Sequence, residues 1–127
     1  MTDPIIDRLD QIKGRADMAT DGPWVAEYSK EQGNCVIPHD AHSTREAVAV
    51  TRLFHQQADA EFIAAARTDV PRMEAALRAV LDHLSQWQVP DPCEGPRDQW
   101  CPDCLRNDEI RQAIAGALGV ETEGGEK

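Results

Sequence analysis

Between Asp59 and Trp87 the chain reads DAEFIAAARTDVPRMEAALRAVLDHLSQW. Ile63, Ala66, Val70, Met73, Leu77, Val80, Leu84 and Trp87 step alternately by three and four. That spacing puts one apolar seam along a helix and repeats as a heptad. Asp59 is suited to start a helix, and Thr68 or Asp69 to cap a fresh one, with Pro71 in the first turn where proline is tolerated. The segment is therefore a long helix or a helix pair. Its seam has two uses: packing inside the monomer, which is expected for so small a chain, or pairing with a second copy through residues 63–87.

Upstream, Asp3 and Pro4 are an N-cap and a first helical residue. Ile5, Leu9, Ile12 and Ala16 form one stripe, and Thr20-Asp21-Gly22-Pro23 reads as a turn. Trp24–Tyr28 and Cys35–Ile37 read as two strands around a turn at Glu31–Asn34, with a third strand expected over Glu46–Phe54. A hairpin alone is marginal in water, so this sheet must pack on a helix. Downstream, Pro90, Pro92, Pro96 and Pro102 mark a loop. Asn107 is expected to cap a last short helix carrying Ile110, Ile114, Ala117 and Leu118, with Gly119 as its stop. The fold class is α+β, mostly helical: N-terminal helix, small antiparallel sheet of two or three strands, long helix or helix pair, Cys-rich loop and short C-terminal helix. Residues 1–120 are expected to form a single domain, and 121–127 a flexible acidic tail.

Composition fits this. The 127 residues are 41% hydrophobic and 28% charged, and three of the six aromatic residues are Trp. One core built from aliphatic side chains is possible. The net charge of −10 repels phosphate backbones and disfavours nucleic acid as a partner. There is no apolar run long enough to span a bilayer and no basic-then-apolar start within Met1–Asp10, so the expected location is the cytoplasm. Disulfides are rare there, and the four cysteines need another role.

Cys101-Pro102-Asp103-Cys104 is the strongest chemical signal. Two thiolates two residues apart can grip one tetrahedral ion from a tight turn. Cys93 supplies a third. The expected cofactor is a structural zinc in a knuckle-like loop over 89–106, with His83 as fourth ligand, or else Cys35 or His39. A loop rich in proline and charge buries little surface, so metal would supply much of its order. The histidines around residue 40 form no recognisable catalytic motif.

Two motifs carry a resemblance. Ala19-Thr20-Asp21-Gly22-Pro23-Trp24, followed by Ala58-Asp59-Ala60-Glu61-Phe62-Ile63-Ala64-Ala65-Ala66-Arg67-Thr68-Asp69-Val70-Pro71, resembles a recurrent type of small accessory protein of actinobacterial phages and prophages. Over residues 16–87 the pattern is AT-x-GPW, a variable β region, then DAEFIA-x-AR-x-DVP and a long helix. The resemblance implies a non-virion protein acting inside an infected bacterial cell, and no particular activity. The expectation is a non-catalytic protein-interaction module that binds a host or phage protein. Its interface residues would be Trp87 and Trp100 with Val70, Met73, Leu77, Val80 and Leu84. A small-molecule or nucleotide binder, with a pocket near His39, Arg45 and Arg52, is the alternative. A metal-dependent enzyme using the same histidines is a third reading.

Overall fold

In the computed structural model the described residues are 3–53, 55–86 and 93–121. The fold is α+β. Helix α1 covers Pro4–Met18, followed by strands β1 (Trp24–Ser29), β2 (Gly33–Pro38) and β3 (Ala49–Val50). Helix α2 covers Gln56–Gln86 and helix α3 Pro102–Leu118. Single 3-10 turns lie at Thr44–Glu46 and Arg97–Gln99. Among the described residues no helix is long and apolar enough to cross a membrane. The chain divides into two compact units. One is residues 12–74; the other takes the described residues before 12 and after 74.

In residues 12–74 the sheet is antiparallel, in the order β1-β2-β3. The hairpin register pairs Trp24 with Pro38 and Glu27 with Cys35. Gly33 closes the turn at φ 79°, a left-handed conformation that costs glycine nothing. Cys35, Val36 and Ile37 are all buried, as befits the central strand. Val36 packs with Ala60 and Ala64 of α2, and Trp24, Ala26, Ala49 and Ile63 surround them. The two alanines allow helix and sheet to approach closely.

The third strand is much shorter than the expected Glu46–Phe54. Ser43 and Glu46 form a capping box that folds Thr44–Glu46 into a 3-10 turn. Only Ala49 and Val50 then pair with β2, flanked by bonds from Val48 N–H to the Val36 carbonyl (2.8 Å) and from Thr51 N–H to the Asn34 carbonyl (3.0 Å). Phe54 lies outside the described residues.

Pro71 does not divide the long segment. α2 runs unbroken through it for 31 residues, so the helix-pair alternative gives way to the single long helix. Proline removes one intrahelical hydrogen bond. A break would instead strand up to four N–H and four C=O groups at new helix ends, and the flanking alanine, arginine and leucine residues favour helix. The helix also begins before Asp59, whose N–H already bonds the His55 carbonyl at 2.8 Å. The buried positions on α2 are Ala60, Ala64, Glu74 and Leu81, whereas Val70, Met73 and Val80 of the heptad seam are exposed. The fully buried stripe is thus offset from the seam, of which Ile63 packs on the sheet core while Ala66, Leu77 and Leu84 are half-buried.

In the other unit, Ile5 and Leu9 of α1 are fully buried, and Leu81 and Ala115 are nearly so. Asp3 caps α1 by accepting the Ile5 N–H (2.9 Å), and its second carboxylate oxygen pairs with Arg111 of α3. Arg8 donates to the Leu118 carbonyl (3.2 Å), placing positive charge at the C-terminal end of α3. Arg78 pairs with Asp10 at 2.8 Å. At the end of α3 Gly119 adopts φ 70°, and the Val120 N–H returns to the Ala115 carbonyl at 3.0 Å.

With so few buried aliphatic side chains, each carries a large share of this unit. Leu9→Ala is expected to lower stability by about 2–5 kcal/mol, read as a drop in the urea midpoint of the helical circular-dichroism signal. An unchanged midpoint would show that Leu9 is not part of a packed core.

Candidate metal centre

The site forms at the start of α3. The helix begins at Pro102, not after Asn107 as expected. Cys101 is its N-cap, with φ −67° and ψ 160°, and Pro102 takes the first helical position. The Leu105 N–H bonds the Cys101 carbonyl at 3.0 Å, closing the first turn. Asn107 lies inside the helix, where its Oδ1 is buried without a hydrogen-bond partner. The CPDC motif is therefore the first turn of a helix rather than a free loop. Asp103 sits in that turn, where the helix dipole favours negative charge.

The chain from Cys93 to Trp100 folds back onto this turn. Gly95 takes φ 87°, and its carbonyl accepts the Trp100 indole N–H at 3.1 Å. Arg97 pairs with Asp108, one turn further along α3, at 2.9 Å. The result brings Cys93, Cys101 and Cys104 together, with all three sulfurs within 4.8 Å of one another. Zinc–sulfur bonds of about 2.3 Å in a tetrahedron place sulfurs roughly 3.8 Å apart, so the set fits one ion with little movement.

Each sulfur also accepts a backbone N–H from another cysteine of the set. Cys101 N–H donates to Cys93 Sγ (3.3 Å), Cys104 N–H to Cys101 Sγ (3.5 Å), and Cys93 N–H to Cys104 Sγ (3.5 Å). This closed ring aims three peptide dipoles at three sulfurs, which favours the thiolate forms that metals require. The Cys101 thiol is held below the ordinary thiol value by the Cys104 backbone N–H and then by the neighbouring thiols. Cys104 lies above it. The Cys93 N–H pulls it down, but hydrogen bonding to Cys101, partial desolvation and the Cys93 thiol together push harder upward.

Among the described residues the ligand group consists of these three cysteines. His83, exposed on α2 in the same unit, is not among them. Cys35 and His39 belong to the hairpin of the other unit. Cys35 is fully buried, and its thiol is pushed up by desolvation and then by the charge of Glu27 across the strand pair. His39 Nδ1 lies 3.3 Å from the Pro23 carbonyl oxygen. In the region suggested for a nucleotide, Arg45 pairs with Glu31 at 3.5 Å, while Arg52 borders a separate depression with Leu53 and Phe62.

Of the expected interface residues, Val70, Met73 and Val80 are exposed, Leu77, Leu84 and Trp100 are half-buried, and Trp87 lies outside the described residues. Sequence reasoning missed Arg67, whose Nε donates to the Thr20 carbonyl at 2.9 Å and whose guanidinium lies 5.7 Å from the centre of the Trp24 ring. The Trp24 indole N–H bonds the same carbonyl at 3.1 Å. A side chain at Gly22 would press on Arg67, since a Cβ there would lie 2.9 Å from Arg67 Cγ. The only available signal was that Arg67 and Thr20-Asp21-Gly22-Pro23-Trp24 fall in the two motifs of the resemblance.

The accessibility of the four thiols separates their roles. In metal-free native protein, Cys93, Cys101 and Cys104 are expected to react with a water-soluble thiol reagent, and Cys35 only after denaturation. Zinc should then protect the same three. Rapid reaction of Cys35 would contradict its buried placement. No protein-family model, no curated protein and no solved structure matches the chain, and the reading of the site rests on this geometry.

Proposed function

We propose that the chain is a non-catalytic protein-interaction module, phage- or prophage-encoded and acting in the cytoplasm of the bacterial host. A structural zinc ion on Cys93, Cys101 and Cys104 holds its C-terminal loop to α3. His83 is the proposed fourth ligand. The ion's contribution is order: it ties a loop with little apolar content to the first turn of a helix.

One observation carries the interaction reading. Large apolar side chains face solvent in a chain this small: Leu53 is 76% exposed, Phe62 75% and Met73 58%. Single exposed hydrophobes need no explanation, but Leu53 and Phe62 border the same depression, and contiguous apolar surface marks interaction sites.

A homodimer through the 63–87 seam is a second form of the same reading, supported by the exposure of Val70, Met73 and Val80.

The double substitution Val70→Glu with Met73→Glu tests the function. Both side chains are exposed, so the variant should fold with an unchanged helical spectrum. It is expected to lose a host protein that the wild type retains specifically, or to lose self-association in light scattering. Retention of every partner by the variant, or no partner and no self-association for the wild type, would contradict the proposal.

A further inference from the structure

Two depressions within residues 12–74 share a wall, and neither belongs to the metal centre. The larger, of about 470 Å³, runs among Ile12 and Ala16 of α1, Trp24, and Ile63, Ala66 and Val70 of α2. The smaller, of about 320 Å³, lies beside Leu53. Phe62 and Ile63 border both. The lining of the larger one is almost wholly apolar.

The charge at the edges is opposite to that of the chain. The sequence holds 23 acidic and 13 basic residues. Around these depressions stand Arg15, Arg52 and Arg67 against the single carboxylate Asp59. Arg15 and Arg52 have no ion-pair partner among the described residues. Arg67 is fixed by Thr20 and Trp24, so one guanidinium is held in place at the edge of the groove.

We propose that this face docks an acidic amphipathic segment of a partner protein. Bulky apolar side chains would enter the depressions on either side of Phe62, and carboxylates beside them would meet the guanidiniums. Guanidinium is the cation best matched to carboxylate, and adjoining apolar surface that excludes water strengthens the pairing. A second copy fits this face less well. A two-fold interface is self-complementary, and pairing the face with itself would set the three arginines against their own counterparts.

The inference rests on the interaction reading and specifies the partner's chemistry. Its test uses two synthetic helical peptides with the same Leu/Phe face, one flanked by Glu and the other by Lys. Each is titrated into isotopically labelled full-length protein and followed by two-dimensional NMR. The acidic peptide is expected to shift the Trp24 indole signal and the amides of residues 62–70 saturably, more weakly as salt rises. The basic peptide should bind about tenfold more weakly, and Arg15→Glu with Arg52→Glu should reverse the order. Among the described residues the side chains of Arg15 and Arg52 make no hydrogen bond or ion pair, and the dispersion of the variant's spectrum checks its fold. Three results would overturn the proposal: equal or better binding of the basic peptide, no shift with either peptide, or shifts that follow protein concentration alone. Equal binding of both peptides would remove the acidic partner and leave the interaction module standing. Failure of both peptides, together with no partner for the wild type, would remove both.

Discussion

Three sulfurs that each accept a backbone N–H from another cysteine are the constraint on which the C-terminal half of this protein depends. The unit that contains them has only Ile5, Leu9, Leu81 and Ala115 buried among its described hydrophobic residues. None of these lies in the loop from Cys93 to Trp100. Such a loop gains little from hydrophobic burial, and ordering its backbone costs about 1–2 kcal/mol per residue. Hydrogen bonds to sulfur and the ion pairs of Arg97 with Asp108 and Glu109 do not offset that cost over a whole loop. A metal ion bound by the three thiolates would, and the ring already holds the sulfurs within 4.8 Å of one another.

The other unit is organised by packing. Val36, Ala60 and Ala64 form its centre, and the Thr20 carbonyl accepts from both Trp24 and Arg67. The turn before the sheet and the middle of α2 are thereby joined through one oxygen atom. Arg67 lies over the Trp24 ring, a cation–π arrangement that holds the guanidinium at an apolar surface. The Thr20–Trp24 turn and Arg67 of α2 meet at this device. Their roles visible in the structure are architectural.

Legibility in the sequence followed the strength of the local signal. Asp3-Pro4 and Gly119 mark helix ends by backbone chemistry, and both act as read. The hairpin was legible from its partial alternation and Gly33. The third strand was misjudged because Val48, Val50 and Leu53 offer apolar residues without saying whether they pair; the Ser43–Glu46 capping box decides that locally. Pro71 leaves a long helix and a helix pair both open in the sequence, because proline propensity is a local quantity, while the cost of two new helix ends is not. The seam was visible, but its direction was not. Ala60 and Ala64 face inward through small size, which a search for large apolar residues overlooks. At the metal centre the three cysteines were legible from spacing. Pro102 at the first helical position is the sequence signal for the N-cap role of Cys101, whereas Asn107 lies inside the helix. The arginine-edged groove was not legible, since Arg15, Arg52 and Arg67 are scattered in sequence and meet only through the fold.

The most direct measurement of the central claim is the mass of the purified protein under native conditions compared with its denatured mass. The account predicts one zinc per chain in the native spectrum, absent after denaturation, and absent in the native spectrum of a Cys101→Ser/Cys104→Ser variant. A native mass equal to the bare chain, in protein prepared with zinc present and with its thiols reduced, would contradict it.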